Sequence, residues 1–430
     1  MSVVDTLFVG RLGSTALGAI GIGSITALTI VSFGSALLSA TRVEVGNDFG
    51  RGDFERVRAT LGSFLRLAWV LSLASFGFAV ALSLILPSLV DDPQMGALGG
   101  SYLRVRAFSY PAVLIAAAVG QWLNAQGRPR APMVGALIAN AINIPLNAWF
   151  VVFAGYGLEG SAWATFVAQM IEALLLLYFA TDALAEGGVK GLFRRVQRSA
   201  GSGEVGRLFR LGFATGAERA ADMLAFSSVP LLLSFAGSSE VGVHQIALQI
   251  SLFAFLPSLA LSDSVTTLVA QAAGANRPDL VPKLRSEALW LGAYYSVAWA
   301  LLCLAFRRQL VGFFSSDPAL VPSAMATLVW VSILQPPNTL YTSLKGLLRG
   351  LRDFRAVALC TSLAAWIISP PLTLILGVWM GRGARGAWQA FVIEVLIGVS
   401  YLIWRAHWLV PKILGTSPGP GVRMESSYAK

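Results

Sequence analysis

Residues 131–155, APMVGALIANAINIPLNAWFVVFAG, set Asn140, Asn143 and Asn147 into an otherwise apolar run. The spacing i, i+3, i+7 puts all three on one face of a helix. Unpaired amides in hydrocarbon are costly, so such a stripe faces other helices or a water-filled cavity. Interhelical hydrogen bonding, worth about 0.6 kcal/mol per bond where measured, is one reading; a ligand site is the other. Asp5 stands in MSVVDTLFVG, beside apolar residues. A carboxylate in that setting can take up a proton or a metal cation and release it when water enters, or it can cap a helix end. A third group is LGFATGAERAADMLAFS, where Glu218 and Asp222 lie four apart on one face and Arg219 is spaced to reach Asp222. A neighbouring guanidinium favours the ionised carboxylate, which opposes a simple proton-carrier role. The charges can instead form an internal ion pair, or Arg219 can face a cavity and favour an anionic ligand. Asp263, in LALSDSVTT, is a further carboxylate within an apolar run, expected to find an interhelical partner. His244 and His407 are far apart and lack nearby cysteines or acids, so no metal site is expected. No GxxxxGK[ST], HExxH or Ser-His-Asp candidate appears, so ATP hydrolysis and hydrolytic catalysis have no support, and no cofactor is expected.

The elements that must position these residues follow from composition. Hydrophobic residues make up 56% of the 430 and charged residues 13%, against roughly 45–50% and about 25% in soluble chains. Lipid is therefore the solvent, and an all-α polytopic membrane protein is expected. Apolar spans fall near 16–40, 60–86, 100–123, 132–153, 161–181, 211–236, 242–271, 286–306, 324–344, 356–379 and 386–409. MSVVDTLFVG reads as the last turns of a twelfth, whose first part is largely missing; it does not read as a cleavable signal peptide. If connectors alternate sides, one set carries 23 Lys and Arg and the other 5. The imbalance places the rich set and the C-terminus in the cytoplasm, with each basic turn a topology anchor, and it accounts for the net charge of +10 without nucleic acid. Cys303 and Cys360 each sit in an apolar run, so a disulfide framework is not expected. Arg104 and Arg106 are expected to snorkel near the outer end of their span.

An internal repeat orders these spans. Asp92 and Pro93 match Asp317 and Pro318, Pro111 matches Pro336, and Arg130 matches Arg355, all at one offset of 225 residues. VGRLGSTALGAIGI beside LSFAGSSEVGVHQI pairs Gly13 with Gly237 and Gly18 with Gly242. Two six-helix lobes in parallel order are implied: an N-lobe over 1–181, a basic cytoplasmic linker over 182–210, a C-lobe over 211–409 and a cytoplasmic tail over 410–430. Pro111, Pro145, Pro230, Pro257, Pro336, Pro337 and the pair Pro370–Pro371 fall within spans, where each frees a backbone carbonyl and can kink its helix.

VDTLFVGRLGSTALGAIGI, NAQGRPRAPM, GLEGSAWATFVAQ, VGVHQIALQISLFAFLPSLALSDSVTTLVAQAAGA and LRGLRDFR together resemble the multidrug and toxic compound extrusion (MATE) family, nearest its DinF-type branch. The likeness covers nearly the whole chain in order. It implies a twelve-helix antiporter that exports organic compounds against an inward H⁺ or Na⁺ gradient by tilting two lobes around a central cavity. It also implies an N-lobe cation site in which Asn143 takes the place of the family's Asn on the fifth helix and Asn147 that of its Asp, so the usual carboxylate there is absent. Thr165, in GSAWAT, matches the family's threonine of that cluster, and Asp5 its first-helix carboxylate. In the C-lobe, Asp222 matches the family's acidic residue on the seventh helix, while Asn338 stands where the tenth often carries Asp and Ala214 where a proline is usual. Coupling is thus expected to lean on Asp5 and Asp222, with Asp263 as a substitute. Glu172 and Glu394 are expected as cavity or packing acids. The expected partners are a small organic substrate and the lipid bilayer, not nucleic acid, with the chain a monomer in a plasma or organelle membrane. A lipid-linked substrate flippase of the same superfamily, an organic-anion exporter and a nontransporting fragment are the alternatives.

Overall fold

The computed structural model describes residues 2–9, 14–90, 92–183, 203–314 and 320–413, and no strand occurs among them. The helices are α1 (Ser2–Val9), α2 (Ser14–Ser39), α3 (Thr41–Gly50), α4 (Phe54–Leu89), α5 (Pro93–Ala107), α6 (Tyr110–Ala125), α7 (Arg130–Asn147) and α8 (Gly157–Ala183). After them come α9 (Glu204–Ser234), α10 (Ser238–Gly274), α11 (Leu280–Ala305), α12 (Arg307–Phe314), α13 (Val321–Gly350), α14 (Phe354–Ile367), α15 (Ser369–Leu372) and α16 (Gly383–Ile413). Among the described residues eight helices, some continuing across a short break, are long and apolar enough to cross a bilayer, and α5 with α6, bent by 50°, makes a ninth. α9 and α13 are 31 and 30 residues long and more polar. Each of the eleven expected spans thus coincides with a helix or a broken pair, and α1 stands where the twelfth was expected, with eight residues.

The linker expected over 182–210 is already helical from Glu204, and residues 184–202 lie outside the described ones. So do residues 414–430 of the tail, and Asp317, Pro318 and Gly13 of the repeat.

The repeat is visible in the backbone. Pro145 in α7 is followed by a π turn at Ala148–Phe153, and Pro370 by one at Thr373–Trp379, at the same 225-residue offset. A wide turn of this kind is one way a helix absorbs the carbonyl that a proline leaves unpaired. The turns that end helices at the basic face repeat as well: Gly52 and Gly127 in one half, Asn276 and Arg352 in the other, all with positive φ. Arg352 adopts φ 67° where its counterpart is a glycine, a conformation that costs a side-chain-bearing residue about 1–2 kcal/mol.

At that face the halves meet. α2 runs against α9, and α3 against α10. A Cβ on Gly274 would strike the carbonyl of Asn47, and one on Gly50 the carbonyl of Gln271, so the two backbones come closer than any other residue would permit. Although α3 is a polar helix, residues 41–48 are all buried.

Several charges expected at the surface lie inside. Arg42, counted among the basic turns, is 2% exposed. Lys345 and Arg349 sit within α13 with side chains 12% and 22% exposed. Arg106 does not snorkel: it lies at the α5–α6 bend and donates to Gln169 Oε1 at 2.9 Å and Ser109 Oγ at 3.0 Å.

Candidate functional site

Two buried polar clusters form, one in each half, and they differ in how their carboxylates are neutralised. In the first, α1 brings Asp5 between α7 and α8. Its Oδ1 accepts from Asn147 Nδ2 at 2.9 Å and its Oδ2 from Thr165 Oγ1 at 2.8 Å. Asn143 Nδ2 donates to the same Thr165 oxygen at 3.2 Å, and Asn147 Nδ2 also reaches the Asn143 carbonyl at 3.0 Å. All four side chains are at most 2% exposed. The amide oxygens of Asn143 and Asn147 are buried without a hydrogen-bond donor, a costly state for a polar atom. No Lys or Arg lies within ion-pair distance of Asp5 among the described residues. The cluster therefore holds one carboxylate, two unpartnered carbonyl oxygens and neutral donors only.

Asn140 shares the side of α7 predicted for it, but it is exposed and donates to the Ala136 carbonyl of its own helix. Only the two asparagines that α1 and α8 cover belong to the cluster.

In the second cluster α9 presents Glu218, 2% exposed, to α13 and α14. Its Oε1 takes Lys345 Nζ at 2.6 Å and the Thr361 hydroxyl at 2.9 Å, and its Oε2 takes Arg349 Nη2 at 2.7 Å. Asp222, 29% exposed, stands 3.9 Å from the same lysine. Lys345 also lies 5.1 Å from the centre of the Tyr341 ring. The expected Arg219–Asp222 pair is thus replaced by pairing to α13: the charges that make Glu218 and Asp222 tolerable come from 123 to 131 residues away. Arg219 stays half-buried beside them.

Asn338, two turns before Lys345 on α13, makes no hydrogen bond to this cluster among the described residues. Its neighbours Gln335 and Thr339 turn instead to α10, where Gln335 Nε2 donates to the Ala254 carbonyl at 2.9 Å and Thr339 meets Ser258 at 2.8 Å, beside Pro257 within that helix. Glu394 accepts from Ser369 where α14 ends before Pro370. Asp263 has the interhelical partner expected of it, Arg42 at 3.0 Å. Lys345, Arg349 and Thr361 were not anticipated in the cluster; the signal was the i, i+4 spacing in LKGLLRG, which also fits a topology anchor.

The MatE family model matches residues 1–149 and 221–375, more than half of the chain and including Asp5, Asn143, Asn147 and Asp222. The chain belongs to the MatE family. It is a multi-pass membrane transporter of that family and not an enzyme. This MatE protein is similar along 95% of its length to the probable multidrug resistance protein NorM of Mannheimia succiniciproducens, at 24% identity over 89% of that protein. It is 27% identical to the multidrug resistance protein NorM of Vibrio cholerae serotype O1, covering 95% of the chain and 91% of the relative. Among solved structures it shares its fold with the eukaryotic MATE transporter AtDTX14, at a TM-score of 0.85 and 17% identity, over 96% of this chain and 92% of that one. A MOP superfamily transporter from Pyrococcus furiosus superposes with a TM-score of 0.88 at 16% identity, with the same coverage.

Proposed function

We propose that this MatE protein is a secondary active antiporter of the plasma membrane, acting as a monomer, that exports organic, cationic or amphiphilic compounds in exchange for inward H⁺ or Na⁺. The observation that carries the reading is Asp5: a carboxylate 2% exposed whose bonded partners among the described residues are a neutral amide and a hydroxyl. An ionised carboxylate at that depth costs several kcal/mol without a countercharge. It therefore holds a proton or a metal cation whenever the site is sealed, and the unpartnered oxygens of Asn143 and Asn147 are the hard ligands that Na⁺ would use. Release follows when the lobes part and water enters. The amide at position 147, where the family pattern has a carboxylate, leaves one negative charge and hence one monovalent ion per cycle. The NorM relatives carry the name of multidrug resistance proteins, in keeping with organic cargo.

The test loads membrane vesicles with a fluorescent organic cation and imposes H⁺ and Na⁺ gradients separately. Efflux driven by one gradient supports the reading and names the ion; efflux indifferent to both removes it. Arg219, a half-buried guanidinium in a cluster with three cations and two carboxylates, favours a second reading, export of organic anions. A fluorescent carboxylate in the same vesicles separates the two.

Thr165 links Asp5 to Asn143 through one oxygen. Thr165→Val keeps the shape and removes the hydroxyl, and is expected to raise the half-saturating concentration of the driving ion about 10- to 100-fold, as loss of a partner that orients an ion ligand commonly does. Thr165→Ser should restore it. An unchanged half-saturation in the valine variant would place the ion elsewhere.

A further inference from the structure

We propose that α3 is the latch that holds the two lobes together at the basic face, through two ionic groups, Arg42 with Asp263 and Glu44 with Arg207 and Arg352. Arg42 Nη1 lies 3.0 Å from Asp263 Oδ1, Nη2 donates to Oδ2 at 3.1 Å, Nη1 donates to the Asp263 main-chain carbonyl at 3.0 Å, and Nε is held by Gln121 of α6 at 2.6 Å. The arginine side chain is 3% exposed and its partner 50%. In the second group Glu44, 8% exposed, meets Arg207 of α9 at 3.5 Å and Arg352, in the α13–α14 turn, at 3.3 Å. Arg42 and Glu44 belong to the first half of the repeat, and Asp263, Arg207 and Arg352 follow the linker.

Three further observations agree. α3 buries Val43 against Ala270 and Phe354 of the second half and carries Arg42 and Glu44 into the same interior, where their charges need partners. Arg352 keeps a backbone conformation that its counterpart Gly127 meets without a side chain, and that side chain is one which reaches Glu44. Gln271 Nε2, on α10, donates to the Ala125 carbonyl at 2.8 Å, a neutral hydrogen bond across the same seam.

A lobe movement that opens this face must break the Arg42–Asp263 fork and leave Arg42 to water. These residues therefore set the fraction of the protein that is open there, without touching the coupling ion. The inference rests on alternating access, and its test needs neither gradient nor cargo, so it can fail while the coupling reading stands.

The test uses the full chain in inside-out membrane vesicles, with Cys303→Ala, Cys360→Ala and a reporter Asn47→Cys at the α3–α10 contact, labelled by a membrane-impermeant maleimide. Asp263→Asn strips Arg42 of its carboxylate and is expected to speed labelling roughly tenfold or more, the population change that 1.4 kcal/mol produces. Arg352→Gly relieves the backbone while removing the contact with Glu44, so a merely structural role predicts labelling no faster than in the parent; the latch predicts labelling several-fold faster. A parental rate in inserted Asp263→Asn overturns the proposal. Should that variant fail to insert, Arg352→Gly decides alone: faster labelling supports the latch, and an unchanged or slower rate overturns it.

Discussion

Asp5→Asn is expected to leave a folded, inserted transporter that no longer runs on an ion gradient. The substitution keeps the size of the side chain and one of the two acceptor oxygens that serve Asn147 and Thr165; it turns the other into an NH2 donor and removes the charge. With no charge to compensate, the sealed site has no reason to select a cation, and gradient-driven efflux should fall on the order of 100-fold, the upper end of the coupling that a single linked site provides. Exchange of labelled for unlabelled cargo across vesicles without a gradient should continue, because the lobes can still alternate. Gradient-driven efflux at the parental rate would show that Asp5 is a packing group and would sink the antiport mechanism in its present form.

The second large effect belongs to stability. Glu218→Gln leaves Lys345 and Arg349 within the bundle without the carboxylate that binds both. Removing one member of a buried ionic group costs about 3–5 kcal/mol, because the charges left behind are uncompensated. The expected result is a marked loss of monodisperse protein in detergent and a lower unfolding temperature there. Lys345→Met in the same chain should recover part of that loss, since it removes one of the stranded charges. If Glu218→Gln unfolds at the parental temperature, Asp222, 3.9 Å from Lys345, has taken over as the counterion, and the cluster is an adaptable site.

The two predictions differ in kind because the lobes repeat in backbone and not in chemistry. The proline breaks and π turns recur at one offset. The ionisable groups do not: one half buries a carboxylate with neutral donors, the other a carboxylate with two cations. In the proposed mechanism, a repeated scaffold with unequal clusters lets one lobe bind and release an ion while the other keeps its charges satisfied throughout.

The spans were legible because hydropathy is a local sum: about twenty consecutive apolar residues suffice to cross a bilayer whatever they later touch. The repeat, the proline breaks and the likeness to the MATE family were legible for a related reason, being patterns in residue order alone. Arg42, Lys345 and Arg349 show where such reading stops. Each sits at the end of an apolar run, where a window of sequence cannot tell a charge left in the cytoplasm from one drawn inside by a carboxylate far along the chain. Asp5 is 142 residues from Asn147 and 160 from Thr165, and Arg42 is 221 from Asp263. The sequence alone determined that this protein lives in lipid, spans it many times and is built from two copies of one plan. Which carboxylate has no described cation within ion-pair distance, which has two, and which pair joins the lobes were decided by the tertiary structure, because the state of a buried charge depends on its nearest neighbours in space, and those come from distant parts of the chain.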